Sequence, residues 1–180
     1  MGEFVLSEQR LQVRLNVARW LAPKMKKTSV LFVCMGNICR SPAAEAVFRE
    51  VAESAERDIH VESAGTEGYH IGKRPDSRMI QAASARGFPM QSRARQVQAT
   101  DLTPGRYDLI VAMDHANQKR LRSIAAAEIP HLKLFSEFLG EPWPEEVPDP
   151  YYGDNEGFER VLDMLEAGCP RLLEHVDRKH

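Results

Sequence analysis

The stretch that decides the fold is Val33-Cys34-Met35-Gly36-Asn37-Ile38-Cys39-Arg40-Ser41-Pro42. Before it, residues 30–33 form an apolar run, which is typical of a parallel strand that is buried on both faces. After it, Ser41 and Pro42 open an alanine-rich segment, and proline is tolerated in the first turn of a helix. The stretch is therefore predicted to be a loop that joins a buried strand to the start of a helix.

The rest of the chain continues this alternation. Further strands are predicted over 59–63, 107–113 and 131–135, and further helices over 75–86, 115–127 and 155–174. Residues 141–150 contain four prolines and are predicted to be an extended loop. Alternating strands and helices indicate an α/β fold with a parallel sheet that is covered on both faces. In such sheets the ligand site lies at the carboxyl ends of the strands, where Cys34 is placed.

The loop has the features of an anion site. Backbone N–H groups at a helix N-terminus point at one position, and the helix dipole adds partial positive charge there. Gly36 allows backbone conformations that other residues resist. Arg40 can donate two parallel N–H groups to phosphate oxygens, which a lysine cannot do. These residues together predict a site for a tetrahedral dianion.

Cys34 is the candidate nucleophile of this site. A helix N-terminus and a nearby cation favour a thiolate over a thiol, and Ser41 can donate a hydrogen bond to the sulfur. A thiolate beside bound phosphate implies a covalent phosphocysteine intermediate. The alternatives are a buried, unreactive cysteine, or a metal site shared by Cys34 and Cys39. The spacing of these two cysteines is unusual for metal binding, and no second pair of ligands follows, so no metal is predicted.

The composition sets the remaining bounds. The chain has 180 residues, 43% of them hydrophobic, and a net charge of −2, which indicates one globular domain without a field for nucleic acid or anionic lipid. No apolar run approaches the roughly 20 residues of a membrane span. Three cysteines are too few for a disulfide scaffold, so a cytoplasmic location is predicted. Residues 1–26 are predicted to be an N-terminal extension, either an extra surface element that packs on the domain or in part a segment ahead of the natural start, and residues 27–180 the domain.

Two separate motifs resemble the low-molecular-weight protein tyrosine phosphatases. Residues 33–42 are similar to the phosphate loop of that family, and residues 149–153 (Asp-Pro-Tyr-Tyr-Gly) to its general-acid loop. Residues 63–66, 107–110 and 113–114 also match segments of the family. The resemblance implies three layers with a four-stranded parallel sheet, and no metal or organic cofactor. It implies hydrolysis of phosphotyrosine on proteins, with inorganic phosphate and similar oxyanions as further ligands.

The resemblance also implies roles for individual residues. Asp149 would be the general acid, since expulsion of a tyrosyl oxygen requires a proton donor. Tyr69, Tyr151 and Tyr152 would form the substrate cleft. Cys39 would be a redox partner that protects Cys34 from irreversible oxidation. The remaining predicted site residues either form the phosphate loop or support it: Met35, Gly36, Asn37, Ile38, Ser41, Ser63 and Ser92.

The chain departs from the family pattern in two places. Ser92 stands where the family usually has a histidine that supports the loop, and the N-terminal extension precedes the usual start. Other activities on this fold are arginine phosphatase and arsenate reductase. Ile38 suits a phenyl ring better than a guanidinium, and no cysteine occurs between Cys39 and Cys169 to relay oxidation. A phosphotyrosine-binding module without catalysis would not need both Cys34 and Asp149.

Overall fold

The computed structural model describes residues 27–178, so the prediction for residues 1–26 lies outside the described residues. Within residues 27–178, four strands alternate with four α-helices in chain order. The strands are β1 (Ser29–Cys34), β2 (His60–Gly65), β3 (Leu109–Ala112) and β4 (Leu132–Leu134). The helices are α1 (Arg40–Ser54), α2 (Ser77–Ala85), α3 (His115–Ile124) and α4 (Asn155–Asp177).

All strand pairs are parallel, and the order in the sheet is β2-β1-β3-β4. The central strand β1 is buried along its whole length, because both of its faces are covered. On one face, Val30 and Phe32 pack in a core with residues of α1, α2 and α4. On the other face, Leu31 and Val33 pack in a second core that includes Leu121 of α3. The predicted three-layer α/β fold is confirmed.

The boundaries differ from the sequence prediction at several elements. Helix α2 begins at Ser77 and not at residue 75, because the Asp76 side chain accepts the N–H of Arg78 and caps the helix. Helix α3 ends at Ile124, three residues before the predicted end. Two short 3₁₀ helices, Ala99–Leu102 and Phe135–Phe138, were not predicted from the sequence. None of these shifts affects the loop after β1.

The sheet positions the site at its carboxyl edge. Cys34 is the last residue of β1, and its register partner Gly65 is the last residue of β2. The proline-rich loop is bonded to the end of β3. The N–H of Val147 in this loop donates to the carbonyl of Met113, which directly follows the strand, at 2.9 Å. Among the helices in the described part of the chain, none has both the length and the apolar character required to cross a bilayer.

Candidate active site

The loop between β1 and α1 turns at Asn37. This residue adopts a left-handed conformation with φ of 54°, which asparagine tolerates better than most side chains. The sequence analysis noted that Gly36 permits unusual backbone conformations, but in the structure Gly36 is not in the left-handed region. Gly36 instead makes room for a neighbour: a Cβ there would lie 3.0 Å from His70 Cδ2.

Gly65 is the glycine that the loop requires most. A Cβ at this position would lie 2.6 Å from Met35 O and 3.1 Å from Asn37 N, which are both backbone atoms of the loop. Backbone atoms cannot move aside as the end of a side chain can. The absence of a side chain at the end of β2 therefore lets the loop pack against the strand.

The Cys34 sulfur lies within hydrogen-bonding distance of a hydroxyl and of a backbone N–H. Its side chain is buried, with Ser41 Oγ at 3.0 Å and the backbone N of Asn37 at 3.3 Å from Sγ. Arg40 is the first residue of α1, so it lies at the N-terminal end of this helix, close to the loop. Hydrogen-bond donors at this distance stabilise a negative charge on sulfur.

A buried polar network lies beneath the loop. Asn37 Nδ2 donates to Ser41 Oγ and to Ser63 Oγ, each at 2.9 Å, and Ser63 donates to Glu45 at 2.5 Å. Asn37 Oδ1 accepts the backbone N–H of Arg95 at 2.9 Å. Asn37, Ser41 and Ser63 are brought together as predicted.

Ser92 does not enter this network in the described structure. It is half-buried, and no hydrogen bond that the structure describes involves its side chain. Glu45 and Arg95 supply the outer contacts instead, and the sequence analysis missed both. The glutamate four positions after Ser41 was a signal for Glu45, because that spacing places it one turn along the same helix.

The guanidinium of Arg40 is buried between two carboxylates. Nη1 donates to Asp114 Oδ2 at 2.6 Å and to the carbonyl of Val147 at 3.1 Å, and Nη2 donates to Asp149 Oδ2 at 2.8 Å. Burial acts to lower the pKa of Arg40, but the negative charges of Cys34, Asp149 and Asp114 raise it above its ordinary value. Arg40 is therefore a fixed positive charge beside the Cys34 sulfur.

Asp149 reaches the site from the predicted proline-rich loop. Its Oδ1 accepts the N–H of Tyr151 at 3.1 Å, which keeps the carboxylate turned toward its own loop, while Oδ2 faces Arg40. Its side chain is 41% exposed, whereas that of Asp114 is 18% exposed. Asp149 is thus the more accessible of the two carboxylates on Arg40.

A cleft of about 130 Å³ opens above the sulfur. Cys34, Arg40 and Asp149 lie on it, and so do the three predicted tyrosines, together with Met35 and Ile38. The structure also places His70 on this wall, with its ring 6.3 Å from that of Tyr151. Tyr152 is 96% exposed, and its ring packs edge-on against Tyr151 at 4.9 Å. The cleft is therefore aromatic at its mouth and polar at its base.

Cys39 is the second cysteine on the cleft. It is buried, it is a free thiol as Cys34 is, and it directly precedes helix α1. Burial, with the nearby charges of Asp76 and Cys34, raises the pKa of the Cys39 thiol far above its ordinary value. At neutral pH it is consequently a protonated thiol.

A family model described as low molecular weight phosphotyrosine protein phosphatase matches residues 29–180. The chain belongs to this family. The low molecular weight protein-tyrosine-phosphatase YfkJ of Bacillus subtilis is 40% identical to this phosphatase over 155 residues, which cover 84% of this chain and 97% of the relative. The crystal structure of a protein tyrosine phosphatase from Entamoeba histolytica superposes with a TM-score of 0.81 at 38% identity, covering 85% of this chain and 99% of the other.

A structurally similar protein is named for a different activity. The crystal structure of a Drosophila arginine phosphatase superposes with a TM-score of 0.74 at 32% identity, covering 81% of this phosphatase and 96% of that chain. Family membership confirms the predicted enzyme class, a protein-tyrosine phosphatase that hydrolyses phosphoric monoesters. Within residues 27–178, no group of three His, Cys, Asp or Glu side chains is arranged to hold a metal ion.

Proposed function

We propose that this enzyme hydrolyses phosphotyrosine on proteins, with Cys34 as nucleophile, Arg40 as phosphate ligand and Asp149 as general acid. The observation that carries the proposal is the convergence of these three side chains on one cleft, although Asp149 lies 109 residues after Arg40 in the chain. The loop amides, the N-terminus of α1 and Arg40 supply positive potential where the phosphate would lie.

In the first step, the Cys34 sulfur attacks phosphorus and the bond from phosphorus to the tyrosyl oxygen breaks. Asp149 transfers its proton to that oxygen, so that tyrosine leaves as a neutral phenol. The loop N–H groups and Arg40 bind the equatorial oxygens as their charge develops. The products of this step are a phosphocysteine, the phenol and an ionised Asp149.

In the second step, water attacks the phosphocysteine. Asp149 accepts a proton from the water, and the sulfur leaves as a thiolate that accepts hydrogen bonds from Ser41 and Asn37 N. Inorganic phosphate is released and Asp149 is protonated again. Phosphate and similar oxyanions would therefore bind the free site as product-like inhibitors.

The cleft favours a phenyl ring over a guanidinium. Ile38 adds a branched apolar group to the lining, and Met35, Tyr69 and Tyr151 add further apolar or aromatic surface. The guanidinium of a phosphoarginine substrate would lose hydration against these groups. The described lining of the cleft offers it no carboxylate apart from Asp149, which already pairs with Arg40. Phosphotyrosine is therefore the proposed substrate and phosphoarginine the alternative.

Two measurements test the proposal. Phosphotyrosine peptide, phosphoarginine and arsenate are compared side by side, and we expect kcat/KM to be highest for phosphotyrosine. Cys34→Ser should abolish turnover of p-nitrophenyl phosphate while the protein still binds phosphate, because the serine hydroxyl is not ionised at neutral pH. Appreciable hydrolysis by the Cys34→Ser variant would remove Cys34 from the mechanism.

The three cysteines support a reducing location. All three are buried free thiols, and the proposed chemistry requires Cys34 to be reduced. We therefore also propose that the enzyme acts in the cytoplasm on tyrosine-phosphorylated proteins, and that oxidation of Cys34 regulates it, with Cys39 as the redox partner.

A further inference from the structure

Arg95 belongs to no motif that the proposed mechanism uses, yet its main chain contacts the phosphate loop. It lies in the irregular segment between α2 and the 3₁₀ helix Ala99–Leu102. Its carbonyl accepts the N–H of Gly65 at 2.8 Å, and the N–H of Val97 donates to Gly65 O at 2.8 Å. Its own N–H donates to Asn37 Oδ1 at 2.9 Å. Arg95 is thus bonded through its backbone to the end of β2 and to the loop.

The contact with Asn37 determines which way the amide of this side chain faces. A backbone N–H can only donate, so it must meet the oxygen of the amide, and Nδ2 must face Ser41 and Ser63. Ser63 donates its own hydrogen to Glu45, which leaves its lone pairs for Asn37. The hydrogen-bond directions in this network are therefore consistent from one end to the other.

The consequence for Cys34 follows through Ser41. Because Ser41 Oγ accepts from Asn37, its hydrogen remains available for another acceptor. Two acceptors lie within reach: Cys34 Sγ at 3.0 Å and the carbonyl of Ala64 at 3.2 Å. A thiolate is the stronger acceptor of the two, since hydrogen bonds to ionised groups are about twice as strong as neutral ones. The orientation of Asn37 thus determines that Ser41 can donate to the sulfur.

The side chain of Arg95 is held on the side away from the loop. Its guanidinium donates to Asp101 Oδ2 at 2.8 Å and to the hydroxyl of Tyr107 at 3.2 Å. Tyr107 in turn contacts Glu62 through its hydroxyl. Burial and the contact with Glu62 raise the pKa of Tyr107, so the hydroxyl keeps its proton, donates to Glu62 and accepts from Arg95. None of these four residues lines the cleft.

We propose that Arg95 is a positioning residue for the phosphate loop, whose guanidinium, anchored on Asp101 and Tyr107, holds its own N–H against Asn37. The Asn37 amide then faces Ser41, and Ser41 donates to Cys34. This inference rests on the proposed role of Cys34 as nucleophile. Among the described residues, the Arg95 N–H is the one donor that the structure gives to Asn37 Oδ1.

Arg95→Met tests the proposal, because methionine keeps an unbranched apolar chain and removes the guanidinium. Arg106→Met is the matched control. Arg106 contacts two of the residues that surround the Arg95 side chain, since it lies 3.8 Å from Glu62 and its guanidinium lies 4.9 Å from the centre of the Tyr107 ring. No hydrogen bond described for Arg106 reaches the phosphate loop. Both variants are assayed for kcat and KM with p-nitrophenyl phosphate, for thermal stability, and for the pH profile of Cys34 alkylation by iodoacetamide, followed by mass spectrometry.

For Arg95→Met we expect kcat to fall roughly tenfold, the order of one hydrogen bond to a charged group, and the midpoint of the alkylation profile to move to higher pH. Arg106→Met should leave both unchanged, and Arg95→Lys should restore part of the loss because lysine can still pair with Asp101. Unchanged kcat and alkylation profile in Arg95→Met, or equal changes in Arg106→Met, would overturn the proposal. If Arg95→Met does not fold, Asp101→Asn takes its place with the same expected direction.

A double-mutant cycle separates positioning from a general loss of stability. If Arg95 acts through Asn37, then Arg95→Met should have little further effect on kcat in an Asn37→Gly background, where glycine accepts the left-handed backbone. Additive effects on kcat would show that Arg95 acts by another route. The two hypotheses fail in different ways. If the proposed function is wrong, activity survives in Cys34→Ser. The alkylation profile does not depend on turnover, so it tests the role of Arg95 separately.

Discussion

The guanidinium of Arg40 donates to the carboxylate of Asp149 at 2.8 Å, although 109 residues separate the two in the chain. Nη1 of the same group holds Asp114 at 2.6 Å. In the proposed mechanism, a substrate phosphate would need the same donors, so it would compete with Asp149 for Nη2. In that mechanism, the carboxylate that Arg40 holds in this structure would be released to act as the general acid when the dianion binds.

Asp149→Asn should slow substrates with poor leaving groups more than substrates with good ones. We expect a loss of ~10²–10⁴ in kcat for phosphotyrosine, the usual contribution of a general acid, and a smaller loss for p-nitrophenyl phosphate. Asp114→Asn is the comparison, because it removes a carboxylate from the same guanidinium and should affect both substrates alike. Equal, small losses in Asp149→Asn would move the acid elsewhere, with Asp114 as the next candidate.

Arg40→Lys should be damaging although it preserves the charge. One ammonium cannot contact phosphate oxygens, Asp114 and Asp149 in the planar geometry of a guanidinium. We expect kcat/KM to fall by ~10²–10³, as for removal of one preorganised donor from a transition state. Arg57→Lys, at a surface ion pair with Asp177, is the control and should be unchanged. Wild-type kcat/KM in Arg40→Lys would show that Arg40 does not bind the phosphate.

Gly65→Ala should distort the loop without touching the nucleophile. Its Cβ would approach Met35 O to 2.6 Å, so the backbone of the loop must shift, at a cost of roughly 1–3 kcal/mol in stability. We expect a lower melting temperature and weaker inhibition by inorganic phosphate. In Gly140→Ala the nearest contact, at 3.1 Å, is the flexible end of Arg171, so this control should tolerate the change. Identical phosphate inhibition in Gly65→Ala and wild type would argue against the close packing of β2 on the loop.

Peroxide should inactivate the enzyme reversibly, and Cys39→Ser should become irreversibly inactivated. Cys39 must be a thiolate to attack an oxidised Cys34, and its raised pKa keeps it protonated near neutrality. Below that pKa the thiolate fraction rises about tenfold for each pH unit, so protection by Cys39 should be stronger at pH 8 than at pH 6. Activity recovered after thiol reduction is the measurement. Equal recovery of the two proteins at both pH values would exclude Cys39 as the resolving thiol.

Removal of residues 1–24 should leave kcat and KM nearly unchanged. The family match begins at residue 29, and the described contacts of the site involve residues from Cys34 onward. Steady-state kinetics of the truncated and full chains provide the comparison, with circular dichroism to verify folding. A truncated protein that folds but loses activity would show that the extension contributes to the site.

Local sequence was sufficient for the features that depend on neighbouring residues. The apolar run before Cys34 predicted a buried strand, and Ser41 and Pro42 predicted the start of a helix. The helix in the structure begins one residue earlier, at Arg40. Asp149 was found through the resemblance of its loop, since a carboxylate before a proline carries little information alone. Each of these signals lies within about ten consecutive residues.

The sequence by itself therefore determined the strand-loop-helix unit, the α/β class and the principal residues of the cleft. Only the tertiary structure decided which residues surround them: Asp114 and Asp149 on Arg40, Arg95 on Asn37, and Gly65 beneath the loop. These pairs are distant in the chain and meet because parallel strands end at one edge of the sheet. A pattern of neighbouring residues carries no information about such contacts, whereas burial and hydrogen bonding in the folded chain specify them.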